Sequence, residues 1–433
     1  MKEIKIALLG LGTVGSGVVK VLQSHGAELQ ERAGCRLVLH TVADADLTRP
    51  REGLDLKRLP LVADANAALD DPGVQIVIEL VGGLEPARTF ILKALQSGKH
   101  VVTANKALLA HHGAELFEEA RRNRVALAFE AAVAGGIPLI RAVKDGLPAN
   151  RILTAFGILN GTCNYILSKM TDEGRDFAEV LKEAQAKGYA EADPTLDIEG
   201  MDSAHKLQIL ATLAFRTSVD LKDIHTEGIT AVSRQDVVNA AELGCRIKLL
   251  AIAKASDGVL ELRVHPTMIP ANSPLAAVSG VFNAVFITGD NVGDLMFYGR
   301  GAGQLPTASA VWSDTVEIAR RVANGIPAMD VDLPSVSRRP LPLRPMDDIR
   351  STYYLRVMAM DRPGVLAQVA GILGTHDISL VSVLQKGRAH GEAVPVVMMT
   401  HEARERDMRA ALAAIDKLPV VAARTTMIRM EGE

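Results

Sequence analysis

The 433-residue sequence predicts an α/β protein: a parallel sheet domain first, then an α+β region, then a small βαββαβ module. Three observations carry that expectation. The first third alternates short apolar runs with amphipathic stretches, the pattern of successive βαβ units. Aromatic residues are only 3% of the chain while hydrophobic residues are 48%, so its cores must rest on Ala, Val, Leu and Ile. That composition suits buried parallel strands covered by helices better than an aromatic-rich sandwich. Finally, residues 350–433 have a rhythm of their own, set off by four prolines in the stretch 333–345 (LPSVSRRPLPLRP).

In order, residues 4–9 read as a buried strand and 13–22 as a helix. Strands 37–43 and 76–80 follow, the latter after the turn signal Asp71-Pro72-Gly73. Helix 85–96 ends at Ser97-Gly98 and leads to strand 100–103, helix 106–122 and strand 125–129. The middle is mixed, with helices expected at 138–146, 164–170, 177–187, 202–215 and 307–323 and strands at 152–159, 261–269 and 284–288. The proline-rich stretch resists both helix and central strand and reads as a semi-rigid linker. Beyond it come strand 353–360, the turn Asp361-Arg362-Pro363-Gly364, helix 365–373, strands 378–385 and 394–400, helix 403–415 and strand 420–430.

Charge and composition exclude several functions. With 48 Lys+Arg against 51 Asp+Glu the net charge is −3, too little basic surplus for nucleic-acid binding. Few aromatics leave no platform for stacking single-strand bases. Cys35, Cys163 and Cys245 form neither a disulfide framework nor a CxxC metal motif. No apolar run approaches the ~20 residues a membrane span needs. The start, Met1-Lys2-Glu3-Ile4-Lys5, enters a strand directly, so no signal peptide and a reducing, cytoplasmic setting are expected.

The strongest local signal is Gly10-Leu11-Gly12-Thr13-Val14-Gly15, a GxGxxG between the first strand and first helix. Gly10 permits the tight turn, Gly12 lets backbone approach a pyrophosphate, and Gly15 lets helix and strand pack closely. The helix N-terminus adds N–H donors and a positive dipole end. This is a Rossmann-type dinucleotide site, against the plainer reading of a glycine turn without a ligand. An acidic residue after the second strand should meet the adenosine ribose, and Asp44 stands there. It points to NAD, although nearby Arg49 and Arg51 leave NADP open, and Asp44 and Asp46 also suit a solvated loop.

Carboxyl ends of parallel strands are where ligands bind in open α/β sheets. Lys106, after Val102-Thr103-Ala104-Asn105, lies at such an end while starting a helix, where a positive charge is electrostatically misplaced. It reads as a cleft lysine against the alternative of a snorkelling surface lysine. In GYAEADPTLDIEGMDSAHK (188–206), Asp202 and Lys206 are spaced i, i+4 on one helix face. A solvated ion pair would be the default. The apolar continuation Leu207, Ile209, Leu210, Leu213 and the upstream Glu191 argue instead for a cleft, with Lys206 as a tunable proton carrier. Carboxylates such as Glu191 and Asp202 suit a substrate ammonium. A second glycine loop, 299–303, precedes Gln304-Leu305-Pro306 and a helix; close approach to a ligand and a plain junction fit it equally. Cys163 has no sequence-local base and reads as packing.

Taken together, GLGTVGSGVV (10–19), VVTANKALLA (101–110), EAAVAGGIP (130–138), GILNGTCNYIL (157–167), the 188–206 segment and GRGAGQLPTASAV (299–311) resemble the homoserine dehydrogenase family with a C-terminal ACT domain. The resemblance spans nearly the whole chain. It implies reversible NAD(P)-dependent interconversion of L-homoserine and L-aspartate 4-semialdehyde, on the route to threonine, methionine and isoleucine. It also implies a homodimer or homotetramer and threonine as effector of the ACT module. Carried over residue by residue, the proton-transferring lysine is Lys206, the second cleft lysine Lys106, and the substrate carboxylates Glu191 and Asp202. Cofactor contacts fall on Gly10, Gly12, Thr13, Val14, Gly15, Lys106, Gly188 and Gly303. The resemblance alone implies a monovalent cation, usually sodium, on carbonyls of Glu130, Val133, Gly135 and Ile137, hard oxygen donors.

The implied domains are 1–134 for the dinucleotide, with helix 304–330 packing back on it, 135–303 for catalysis and dimerisation, a linker at 334–349, and ACT at 350–433. The sequence departs from the family at Cys163 and His205, where threonine and arginine are commoner. It departs again at Ala43-Asp44-Ala45-Asp46, where many members carry a basic residue for NADP. Two rivals remain: a phosphorylating semialdehyde dehydrogenase using Cys163 as nucleophile, and an amino-acid-sensing regulator with a non-catalytic Rossmann domain.

Overall fold

Ile4, Ile6 and Leu8 on one face of β1 (Glu3–Leu9) and Ala7 and Leu9 on the other are all buried. A strand covered on both faces belongs inside a parallel sheet. A computed structural model, describing residues 1–328, 341–385 and 392–432, shows that sheet. After β1 come α1 (Thr13–Ala33), β2 (Arg36–Ala43), β3 (Leu61–Val62), α2 (Asn66–Leu69), β4 (Ile76–Glu79), α3 (Ala87–Gln96), β5 (His100–Thr103), α4 (Lys106–Asn123) and β6 (Leu127–Ala128). The strands are all parallel, in the order β3-β2-β1-β4-β5-β6. The strand order reverses between β1 and β4, the switch point at whose carboxyl end such sheets bind ligands.

The chain continues with α5 (Leu139–Arg141), β7 (Ile152–Ile158), α6 (Gly161–Glu173), α7 (Phe177–Ala186), α8 (Thr195–Ile198), α9 (Met201–Phe215), β8 (His225–Thr226) and α10 (Arg234–Glu242). Then follow β9 (Cys245–Ser256), β10 (Val259–Pro270), β11 (Phe282–Gly289), β12 (Gly293–Arg300) and α11 (Gln304–Ala323). The C-terminal module is β13 (Arg350–Met360), α12 (Val365–Thr375), β14 (Leu380–Gln385), β15 (Ala393–Thr400), β16 (Ala403–Arg404), α13 (Glu405–Ile415) and β17 (Val421–Met430).

Two compact units emerge. Unit 1 holds Met1–Ile152, His205–Lys222 and the described residues from Asn283 to 328; unit 2 holds Leu153–Ala204, Asp223–Phe282 and the described residues from Leu341. The partition falls inside α9. In unit 1, α11 returns to the parallel sheet: Ala308, Val311, Trp312 and Ile318 join Ile4, Ile6, Val18 and Ile78 in one core. The chain's single tryptophan, Trp312, is buried and its indole N–H donates to the Val18 carbonyl at 2.9 Å. A buried indole without that acceptor would lose a hydrogen bond, so the contact fixes the depth at which α11 seats on α1.

Unit 2 carries a mixed sheet in the order β7-β9-β10-β17-β13-β15-β14. β9 and β10 form a long antiparallel hairpin, and β17 of the C-terminal module pairs parallel to β10. The module has the βαββαβ order expected, with the two-residue β16 added on β13 where the helix expected from 403 starts at Glu405, around Tyr353, Leu355, Val357, Val369, Leu373, Met398, Met408 and Ile415.

Three local differences have physical reasons. β9 is not singled out by the sequence because its run Ile247 through Ala253 is buried without alternation, and such a run cannot be told from a buried helix by periodicity alone. The helix expected at 138–146 is present but widened: α5 runs directly into a π-helical turn at Ala142–Gly146. There, the buried Glu130 carboxylate takes the Ile140 and Arg141 N–H groups at 2.9 Å each, a tertiary contact invisible in local pattern. Of the expected linker, residues 334–340 lie outside the described residues. Its described end is docked: Leu260 N–H donates to the Pro342 carbonyl and Arg344 N–H to the Leu260 carbonyl, both at 2.9 Å. No described helix is long and apolar enough to cross a membrane.

Candidate active site

The carboxyl ends of β1 and β4 meet at the glycine turn. Gly10 has φ of 93°, a left-handed conformation, and its N–H donates to the Ala43 carbonyl at 2.8 Å. A Cβ on Gly10 would lie 2.6 Å from the Leu80 carbonyl oxygen, so β4 allows no side chain there. A Cβ on Gly15 would lie 2.0 Å from the Gly10 carbonyl oxygen, which closes α1 directly onto the turn. At Gly12 nothing lies within 4 Å of a Cβ, leaving open space at the N-terminus of α1, with Thr13 and Val14 in its first turn. These are the separate demands of strand turn, helix packing and ligand approach that the motif combines.

Asp44 does not stand free at the end of β2. Its Oδ2 accepts the Leu11 N–H at 2.6 Å, and its Oδ1 accepts the Asp46 N–H at 2.9 Å and the Arg51 guanidinium at 3.0 Å. Arg51 also donates to the Leu11 carbonyl at 3.1 Å. The carboxylate thus braces the glycine turn from below, with a cation already upon it.

At the ends of β4 and β5 the sheet builds a polar shelf. The fully buried Glu79 carboxylate accepts the Val81 and Gly82 N–H groups at 2.8 and 3.1 Å and the Thr103 hydroxyl at 2.7 Å. Thr103 Oγ1 in turn accepts the Asn105 N–H, and Asn105 caps α4 by accepting the Leu108 N–H at 3.1 Å while donating to the Gly83 carbonyl at 2.7 Å. Lys106 is the next residue, half-buried at the first position of α4. Sequence reasoning singled out Lys106 and missed the Glu79–Thr103–Asn105 shelf. An acidic residue inside an apolar strand was the available signal.

The turn carrying the expected cation ligands also lies in unit 1. Ala134 and Gly135 are consecutive left-handed residues, and Ile137 N–H donates back to the Ala134 carbonyl at 3.0 Å. Glu130 is buried, its N–H bonded to Asp314 at 2.9 Å. A Cβ on Gly135 would lie 2.3 Å from the Gly301 carbonyl oxygen, which ties this turn to the second glycine loop. Gly303, with φ of 123°, closes that loop at the start of α11. Among the described residues no group of three or more His, Cys, Asp or Glu is placed to hold a metal ion. Backbone carbonyls at Glu130, Val133, Gly135 and Ile137 are neutral oxygen donors, which fits a monovalent ion.

In unit 2, Asn160 ties α6 to α8 and to the start of α9. Its side-chain oxygen accepts the Cys163 N–H at 2.8 Å and caps α6. Its amide donates to Asp197 at 2.7 Å and to Asp202 at 2.8 Å. Asp202 is 6% exposed, so this bond compensates part of its desolvation. Gly188 and Glu191 lie exposed on the loop after α7. Lys206, one turn beyond Asp202 on α9, is 8% exposed, which excludes the solvated-face reading of this i, i+4 pair. His205 is buried in unit 1 with its ring edge-on to His111 at 5.5 Å.

Cys163 is buried, with its thiol donating to the Asp197 carbonyl at 3.1 Å. A thiol spent on a carbonyl inside a helix turn is no poised nucleophile. Cys163→Ser should therefore keep enzymatic turnover within about threefold, since a hydroxyl can make the same bond. A thousandfold loss in a steady-state assay would restore the phosphorylating rival.

A parallel sheet with the 3-2-1-4-5-6 order and a GxGxxG turn at its first strand marks the dinucleotide-binding class to which many oxidoreductases belong. The class is confirmed and narrowed by comparison. The family profile described as homoserine dehydrogenase, NAD binding domain, matches residues 10–130; that described as homoserine dehydrogenase matches 138–316; and an ACT domain profile matches 353–420. The chain is 45% identical to a homoserine dehydrogenase of Pseudomonas aeruginosa, covering 100% of this chain and 99% of that one. It is 46% identical to one of Synechocystis, covering 99% of each. The crystal structure of a homoserine dehydrogenase from Thiobacillus denitrificans superposes with a TM-score of 0.92 at 46% identity, over 100% of this chain and 99% of that one. A hyperthermophilic archaeal homoserine dehydrogenase in complex with NADPH gives 0.62 at 25% identity, over 73% of this chain and 97% of that one. The chain belongs to the homoserine dehydrogenase family.

Proposed function

We propose that the chain interconverts L-homoserine and L-aspartate 4-semialdehyde with NAD or NADP, in the biosynthesis of threonine, methionine and isoleucine. The observation that carries this reading is the burial of Asp202 and Lys206 on successive turns of α9, with Asn160 fixing Asp202. A bound nicotinamide supplies the hydride acceptor or donor at C4. Lys206 takes the hydroxyl proton of homoserine, directly or through water, and returns it in reduction. Lys106 places positive charge near the same oxygen, stabilising the alkoxide character that develops there. Glu191 and Asp202 bind the substrate ammonium, and Asp202 also orients Lys206. The glycine turn with Gly10, Gly12, Thr13, Val14 and Gly15 holds the pyrophosphate, with Gly188 and Gly303 as further cofactor contacts. Carbonyls of Glu130, Val133, Gly135 and Ile137 hold a monovalent cation, sodium by expectation.

Asp44 supports NAD by repelling a 2′-phosphate, and the Arg51 cation upon it weakens that repulsion, so both cofactors are accepted. The ACT module binds an amino-acid effector, threonine by expectation, and the chain works as a homodimer or homotetramer in the cytoplasm. A spectrophotometric assay with homoserine and either cofactor, with and without threonine, tests this directly. Turnover with both cofactors and inhibition by threonine are expected. Threonine binding without any turnover would instead support a regulator.

A further inference from the structure

Away from residues 188–206, unit 2 joins a set of charges that the proposed chemistry does not use, with Arg429 and Glu405 buried and the Glu227 side chain 38% exposed. Arg429 on β17 is 1% exposed. It donates to Glu405 through Nε at 2.9 Å and to both oxygens of Glu227 through Nη1 and Nη2, each at 2.9 Å. Glu405, fully buried at the start of α13, also accepts the Tyr353 hydroxyl at 2.9 Å and the Arg409 Nε at 3.0 Å. Glu227 lies 2.7 Å from His225 Nε2 as well. Burial alone would push the Glu227 carboxyl up, but the His225 and Arg429 contacts together hold it well below the usual carboxylate range. Replacing a buried ion network by apolar residues of equal volume is often neutral or stabilising. A role in placing something is the better reason for it.

What Glu227 places is visible one residue on. A Cβ on Gly228 would lie 2.2 Å from the Ile198 carbonyl oxygen and 2.5 Å from the Glu199 Cα, so backbone rests on backbone. Ile229 N–H donates to the same Ile198 carbonyl at 2.8 Å. A Cβ on Gly200 would in turn lie 3.2 Å from the Glu227 carbonyl oxygen. The Glu227–Ile229 turn is therefore seated on Ile198–Gly200. That segment leads directly into α9, and the Ala204 N–H closes the first turn on the Gly200 carbonyl at 3.0 Å. Asp202 sits inside that turn.

We propose that Glu227 is a positioning residue for Asp202, held in place by Arg429, so that the last strand of the C-terminal module takes part in homoserine binding. The proposal rests on the reading of Asp202 as a substrate carboxylate. If Glu227 loosens, the Ile198–Gly200 support moves and with it the carboxylate that meets the substrate ammonium.

The test uses the full-length enzyme with Glu227→Gln, Arg429→Lys, Arg429→Gln and Asp202→Asn. In Arg429→Gln the homoserine KM should rise about tenfold or more, with kcat and the cofactor KM little changed; Glu227→Gln should show a smaller rise. Arg429→Lys, which keeps the charge but not the fork, should fall between wild type and Arg429→Gln. Hydrogen exchange of amides 197–204 should quicken in the same rank order. A merely structural role would lower Tm and active fraction without splitting the two KM values. A homoserine KM unchanged in soluble Glu227→Gln and Arg429→Lys, with Asp202→Asn raising it, overturns the proposal alone. An unchanged KM in Asp202→Asn overturns the reading of Asp202 and the proposal with it.

Discussion

Lys206→Ala is expected to lower kcat with homoserine by about 10³-fold, the usual scale for losing a positioned general acid–base. Cofactor binding should persist, because the glycine turn in unit 1 is built without Lys206. The size of the effect follows from where the side chain lies. A surface lysine could be truncated freely, but Lys206 is 8% exposed among Ala204, Leu207, Leu210 and Ala211, all buried. Burying a lysine there is costly, and a functional role is the reading that burial supports. Lys206→Arg should be nearly as inactive, since a guanidinium holds its proton at neutral pH. Stopped-flow hydride transfer together with steady-state turnover measures the loss. Near-wild-type turnover in Lys206→Ala would move the proton carrier elsewhere.

The second large effect is expected within the glycine turn, where two neighbouring glycines should respond differently to the same added methyl. Gly15→Ala places a Cβ 2.0 Å from the Gly10 carbonyl oxygen. Neither atom is the end of a flexible side chain, so α1 must move off the turn, at a cost of about 2 kcal/mol or more. Thermal stability and cofactor binding should both fall. Gly12→Ala meets nothing within 4 Å. Its stability should stay at the wild-type level, while the methyl stands where backbone would approach a pyrophosphate, raising the cofactor KM about tenfold or more. Parallel melting curves and cofactor titrations separate the cases. Equal cofactor affinity in Gly12→Ala and wild type would remove the pyrophosphate from that space.

Much of the fold was legible because its signals are local. Strand 4–9, the GxGxxG turn and the opening of a helix at 13 each follow from a few adjacent residues, and β1 and α1 lie where those residues put them. The βαββαβ order of the tail was likewise readable from alternating periods and the Asp361-Arg362-Pro363-Gly364 turn. β9 was not, because in its buried run from Ile247 to Ala253 only Lys248 interrupts the apolar residues, and an apolar run cannot be told from a buried helix by periodicity alone. The site was legible where residue type and spacing coincide: Asp202 and Lys206 are one turn apart by spacing alone. Asn160, which holds Asp202 from 42 residues away, was not.

By itself, then, the sequence determined the class of the protein: a dinucleotide turn, an aliphatic parallel sheet, a helix carrying a carboxylate and a lysine, and a C-terminal module of its own period. These are contacts between near neighbours in the chain, and periodicity records them. Only the tertiary structure decided that Asp44 is bridged by Leu11 and Arg51, that Glu79 anchors the shelf before Lys106, and that Arg429 reaches Glu227 across 202 residues of chain. Each is a charge or amide whose partner is distant in sequence. What a buried polar group does depends on which hydrogen bonds replace its lost water, and that is set by packing rather than by its neighbours in the chain.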